Sequence, residues 1–149
     1  MRIMHVISSA AAGGAEIYVK DLSKSMSAKG HSVFVVLLDR ASESGRDAEF
    51  EASFLAELRQ YNVEYGFLGG LCRKNPYKGI VGLSRLCRMF KPDILHSHLY
   101  YGAVFSLFQF GVPHVYTHHN IKLKAKPFFY KFLDLRTSAY IGICGACTK

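Results

Sequence analysis

This sequence predicts an open α/β fold: a Rossmann-like parallel sheet of about six strands with helices on both faces, a three-layer sandwich. Three observations carry that expectation. Short apolar runs alternate with amphipathic segments along the whole chain. The runs are apolar at nearly every position, as strands buried on both faces require. The segments between them are long enough to cross back over a sheet, and such crossovers give parallel strands.

The elements follow in order. Arg2 to Ser8 is the first apolar run, and Gly13 to Lys29 carries Ala15, Tyr18, Leu22 and Met26 at helical spacing before Gly30 stops it. Ser32 to Leu38 is a β-branched second strand, Asp39 to Asp47 a polar loop, and Ala48 to Tyr61 a helix striped with Phe50, Phe54, Leu58 and Tyr61. Val63 to Phe67 is a short third strand. Asn75-Pro76 reads as a cap and a first-turn proline for a helix that carries Ile80, Leu83, Cys87 and Phe90 and ends before Pro92. Then come a strand from Asp93 to His96, a helix from Tyr100 to Phe110 and a strand from His114 to Thr117. A helix from Pro127 to Thr137 and a sixth strand from Ala139 to Cys144 complete the order. In such a sheet, ligands gather outside the carboxyl ends of the strands.

The 149 residues are the size of one domain, read as a single unit over 1–149. At 50% hydrophobic and 20% charged, they can build a core without disulfides, and Cys72, Cys87, Cys144 and Cys147 show no disulfide-framework spacing. No stretch approaches the roughly 20 apolar residues of a membrane span. Met1 to Ile7 has the charge and apolar start of a signal peptide, but the run is too short and a glycine-rich loop follows. The reading is a cytoplasmic protein. Cys147-Thr148-Lys149 reads as the opening turn of a further helix, the pattern of a domain cut from a longer protein.

The net charge of +8 suits nucleic acid, an anionic membrane face or phosphorylated substrates, or simply a basic soluble protein. No nucleic-acid motif is present, so nucleic acid is set aside. Lys122, Lys124, Lys126 and Lys131 surround Phe128, Phe129, Tyr130 and Phe132, and Tyr100-Tyr101 open another apolar helix. Two readings stay open for these: a peripheral contact with the inner face of an anionic membrane, or a buried helix with a solvated lysine rim.

Three clusters could carry chemistry. Gly13-Gly14-Ala15-Glu16 joins the first strand to the first helix, where close backbone approach and free N–H groups attract an anion. A tight turn needing positive φ would explain the same glycines. His96-Ser97-His98 and His118-His119-Asn120 end the fourth and fifth strands, so imidazoles converge if those strands are neighbours. They would bind sugar hydroxyls or phosphate, or hold a metal. The second is disfavoured because no carboxylate or cysteine stands ready to complete a set. His5, His31, His114 and in part His96 are expected to be structural. Cys144-Gly145-Ala146-Cys147 has redox-pair spacing, but two small residues beside a strand end account for it better.

With the Gly13-Gly14-Ala15-Glu16 loop, Lys91-Pro92-Asp93-Ile94-Leu95-His96-Ser97-His98, Thr117-His118-His119-Asn120 and the closing Tyr140-Ile141-Gly142-Ile143-Cys144 in this order, the chain resembles the N-terminal domain of family 4 glycosyltransferases with the GT-B fold. The resemblance covers essentially the whole chain. It implies an acceptor-side half-enzyme whose C-terminal donor domain is absent here. By position, Gly13 and Gly14 approach the donor's phosphates and His118 contacts the transferred sugar as the catalytic residue. Glu16, His98, Tyr100 and Asn120 line the acceptor side. No metal or cofactor is implied; a sugar nucleotide is the donor substrate, and a glycan or lipid-linked saccharide of the cell envelope the acceptor. Self-association of the isolated half is a further expectation. The family's paired glutamates have no counterpart: Glu43 with Glu51, and Glu49 with Glu57, share the eight-residue spacing but fall around the second predicted helix. Gly145 also stands where the family usually has a serine. A stand-alone flavodoxin-like phosphate- or nucleotide-binding module is the competing reading, and a histidine-based metal hydrolase a third.

Overall fold

The computed structural model of the chain describes residues 1–119 and 127–143. They form one six-stranded parallel sheet in the order β3-β2-β1-β4-β5-β6. Its strands are β1 (Arg2–Ile7), β2 (Ser32–Leu37), β3 (Glu64–Phe67), β4 (Ile94–His98), β5 (His114–His118) and β6 (Ala139–Gly142). The helices are α1 (Gly14–Ala28), α2 (Ala41–Ser44), α3 (Ala48–Gln60), α4 (Leu71–Lys74), α5 (Pro76–Phe90), α6 (Leu99–Ser106) and α7 (Pro127–Arg136). The chain winds outward from β1 in both directions, so the order reverses between β1 and β4, where an open α/β sheet leaves a crevice.

Strand parity sorts the side chains into two layers. Ile7, Val33, Val35 and Leu37 meet α1 and α3 through Val19, Phe54, Leu55 and Leu58. Met4, Val6, Phe34, Val36 and Leu95 meet α5 and α6 through Leu83, Phe90 and Phe105. Tyr116 continues that second layer against Ala103, Leu107 and Leu133. Burial of each such side chain stabilises by about 1.5–3 kcal/mol. Gly102 lets α6 lie directly on β1, since a Cβ there would sit 2.9 Å from the Val6 carbonyl oxygen.

Local chemistry explains the departures from the expected elements. The polar stretch after β2 is not all loop: it winds into α2, with Glu43 Oε2 accepting from the Arg40 N–H and Glu51 Oε2 from the Ala41 N–H. Asp47 caps α3 by accepting from the Glu49 and Phe50 N–H groups. Glu57 pairs with Lys20 at 2.6 Å and Lys24 at 3.0 Å, tying α3 to α1. The glutamates at eight-residue spacing thus serve caps and a surface clamp, with Glu49 exposed.

On α1 the deepest residues are Glu16, Val19 and Ser23, so its buried stripe is rotated one position from the expected one, and Ala15, Tyr18 and Leu22 are only half-buried. Asn75 occupies the predicted cap position of α5, but its side chain makes no cap hydrogen bond; Pro76 is in the first turn as expected. The short α4 before it has no periodic signature of its own. Helix α6 stops at Ser106, short of the expected Phe110, where Gly111 takes a positive φ of 83°. Strand β4 runs two residues beyond its expected end, because Ser97 and His98 pair in register with Tyr116 and Thr117. Cys87 packs beside Met4, and burial pushes its thiol up to about 11, which keeps it inert. The Cys144/Cys147 pair, Asn120, Lys122, Lys124 and Lys126 lie outside the described residues.

Candidate functional site

Every cluster singled out from the sequence that the structure describes lies at the carboxyl edge of the sheet. An open cavity of about 610 Å³ sits there, lined by Gly14, Ala15, Glu16, Tyr18, Leu99, His119, Ile141, Gly142 and Ile143. Its walls come from the start of α1, the turn after β4, and the ends of β5 and β6.

Neither Gly13 nor Gly14 needs a positive φ: Gly13 is extended at φ −96°, and Gly14 opens the helix. The tight-turn explanation therefore does not apply. A Cβ on Gly13 would lie 2.3 Å from Glu16 Oε2, so glycine lets the buried Glu16 carboxylate fold back over the helix start. A Cβ on Gly14 would meet nothing within 4 Å, and this is the glycine that faces the cavity. Fifteen-residue α1 thus begins at the cavity wall, where first-turn N–H groups and the helix dipole favour an anion, with the Glu16 carboxylate lying beside that start. Glu16 shares that wall as the one acidic residue among the lining.

Parity also divides the histidines. His5, His96 and His98, with Thr117 and His119, lie on the α1 side of the sheet; His114 and His118 point to the α6–α7 side. His5 and His96 are register partners on adjacent strands, and His98 is two residues further along the same face. Their rings meet at a tilt, with centroid separations of 5.0 Å for His5–His96 and 4.1 Å for His96–His98. A line of hydrogen bonds runs outward: His5 Nδ1 to His98 Nε2 at 3.2 Å, then His98 Nδ1 to His119 Nε2 at 3.1 Å. Tyr18 stands edge-on to His98 and His119. His96 Nε2 bonds Thr117 Oγ1 at 2.7 Å.

Burial, with mutual repulsion behind it, holds these imidazoles neutral. The pKa of His5 falls to about 3 and that of His96 to about 4, His98 lies well below the ordinary value, and His119 is lowered. His5 and His98 are therefore not the separate structural and ligand-facing residues the sequence suggests; they form one buried array. Among the described residues, His5, His96 and His98 are the group whose ligand atoms could converge on a metal, within 4.8 Å of one another. The fit is poor. The trio brings no negative charge to offset a buried dication, and His5 Nδ1 and His98 Nε2 already bond each other.

His118, the expected catalytic residue, does not line the cavity. Its Nδ1 bonds the Tyr116 hydroxyl at 3.1 Å, and its ring stands edge-on to Tyr130 of α7. The neighbouring His119 occupies the wall instead, because one residue along a strand is a change of face. His98 sits behind His119, fully buried. Tyr100, on the first turn of α6, is partly exposed and outside the lining; Leu99 takes its place there. Leu99 has φ 63°, a left-handed conformation costly for a bulky residue, and such strain concentrates at ligand sites. Sequence reasoning missed Tyr18, Leu99 and Ile141–Ile143. Alternation along β5 puts His118 and His119 on opposite faces, but which face meets α1 is decided by the register with β4 and β6.

An anion-attracting helix start across a cleft from a neutral imidazole, at the switch point of a parallel sheet, defines a Rossmann-like ligand-binding domain. The chain belongs to Glycosyltransferase Family 4, whose family model matches residues 12–145. No curated protein matches it by sequence. Its fold is shared by Anabaena HepE, solved in complex with UDP and glucose, with a TM-score of 0.66 and 17% identity over 99% of this chain. It is shared too by a glycosyltransferase from Rickettsia africae, with a TM-score of 0.61 and 14% identity over 88%. The chain spans 39% and 32% of the lengths of those two proteins. No described helix is long and apolar enough to cross a membrane.

Proposed function

We propose that residues 1–149 are the acceptor-side, N-terminal half of a sugar-nucleotide-dependent glycosyltransferase that moves a hexose-type sugar to a glycan or lipid-linked acceptor. The observation that carries this reading is the cleft itself, where Gly14 at the N-terminus of α1 faces His119 at the end of β5. A nucleoside diphosphate fits it, because the helix start offers N–H donors to phosphate oxygens and stabilises the charge that develops as the sugar leaves. The UDP and glucose bound by HepE are ligands of this kind. Donor binding would be completed by a second domain closing on the cleft.

In this reading His119 takes the place that the family resemblance gives to His118, as a hydrogen-bond donor to the transferred sugar. Glu16 and Tyr18 line the same wall, and no metal or organic cofactor is needed. The aromatic residues exposed on α7, Phe128 at 79% and Phe132 at 38%, suit a lipid-linked acceptor at an anionic membrane surface.

The test is UDP and UDP-glucose titration of the isotope-labelled chain by NMR. Amide shifts at Gly14, Glu16, Tyr18 and His119 are expected, and their absence at millimolar ligand would defeat the reading. Joined to a donor domain, His119→Ala should lower kcat about 100-fold or more. His118→Ala, which removes no group from the cleft, should leave kcat within a few-fold; the reverse pattern would restore His118.

A further inference from the structure

We propose that His98 and His5 are positioning residues that hold His119 as the neutral Nδ1–H tautomer, so that it meets its ligand as a hydrogen-bond donor and not as a base. The argument is one of counting hydrogens. A neutral imidazole has one N–H and one lone pair. The chain His5 Nδ1···Nε2 His98 Nδ1···Nε2 His119 therefore admits only two arrangements with both bonds intact. If His98 accepts at Nε2, its hydrogen is on Nδ1 and must be donated to His119; if it donates at Nε2, it must accept from His119.

The inner end decides between them. His5 Nε2 is buried and has no hydrogen-bond partner among the described residues, and His5 itself has no exposed surface. The inward arrangement would leave an N–H stranded there, whereas the outward one leaves only a lone pair. Orphaned buried N–H groups are the rarer and costlier case. The hydrogens therefore run outward, from His5 Nδ1–H to His98 Nε2 and from His98 Nδ1–H to His119 Nε2. His119 keeps its hydrogen on Nδ1, the opposite of the Nε2–H tautomer that free histidine favours in water.

Protonation does not rescue the other arrangement, because burial and the neighbouring imidazoles disfavour a cation anywhere in the array. For the same reason the chain is no route for protons. A proton passed inward ends on an atom without a partner.

The tautomer stands whether or not the chain transfers sugar; only the use of Nδ1–H toward a sugar oxygen rests on the proposed function. Long-range nitrogen–proton NMR of the chain carrying labelled histidine reads it directly, with His119 assigned from a His119→Gln variant. The expected spectrum has a protonated Nδ1 and a bare Nε2 on His119. His98→Phe should move the hydrogen to Nε2. His98→Asn, whose amide N–H can donate in place of Nδ1, should retain it on Nδ1. An Nε2–H resonance in the unmodified chain overturns the inference, and so does an unchanged tautomer in folded His98→Phe. If that variant does not fold, the unmodified spectrum decides alone. Failure of UDP to shift these signals would count against the glycosyltransferase reading and leave the tautomer untouched.

Discussion

The two halves of one sheet face solve opposite problems with the same backbone. Over β2, the side facing α1 and α3 is built from Val33, Val35 and Leu37 against Phe54, Leu55 and Leu58, side chains with nothing to hydrogen-bond. Over β4 and β5, the same side presents His96, His98, Thr117 and His119, joined by His5 from β1, bonded as a line from His5 through His98 to His119 and as a His96–Thr117 pair. The apolar half is stable because water is expelled from it. The histidine half tolerates burial because its imidazoles are neutral and hydrogen-bonded, with His5 Nε2 left unpartnered among the described residues. The difference teaches where the molecule accepts a cost in stability: beside the cleft, at the switch point of the sheet.

Acid should separate the halves most sharply. His5, His96 and His98 have folded pKa values below the unfolded value of about 6.5, so the unfolded chain binds more protons as pH falls. Their neutral burial costs nothing above that value. Below it, stability should fall by at most about 1.4 kcal/mol per pH unit for each histidine that stays neutral, down to folded values near 3 to 4. Urea midpoints measured from pH 8 to pH 5 should show a loss of several kcal/mol, and His5→Leu should flatten the slope. A flat profile in the unmodified chain would break the contrast.

Next in size, Phe54→Ala in the apolar half should cost about 3–5 kcal/mol. It should cost the same at pH 8 and pH 5, because the cluster packed around Phe54 contains no histidine. Smallest in stability, Gly14→Ala should move the unfolding midpoint by the equivalent of under about 1 kcal/mol, since the added methyl meets nothing. Calorimetry with UDP should nevertheless show weaker binding, because that methyl enters the cleft where phosphate is proposed to sit. Unchanged UDP affinity would detach the helix start from the site.

Much of the architecture was legible because buried parallel strands write themselves as unbroken apolar runs, as in Val33 to Leu37. The glycine loop and both histidine clusters were placed on the right edge by the same reasoning. Element ends were less legible. The bond from the Arg40 N–H to Glu43 is local, but the one from the Ala41 N–H to Glu51 depends on chain folding back from ten residues away, which nothing in Asp39 to Asp47 signals. Which of His118 and His119 turns toward the cleft was not legible for a related reason: apolar runs show where a strand lies, while its parity depends on partners in neighbouring strands.

By itself the sequence determined the alternation of strand and helix, the edge on which chemistry could occur, and the family resemblance, because each rests on local composition and order. Only the tertiary structure decided which imidazoles touch, which one reaches the cleft, and that Glu16 folds over Gly13. Those outcomes depend on the register between β1, β4 and β5, in which Ile3 of β1 already pairs with Ile94 of β4 across most of the chain. Hydrogen bonds a few ångströms long are settled there, far beyond the reach of any local pattern.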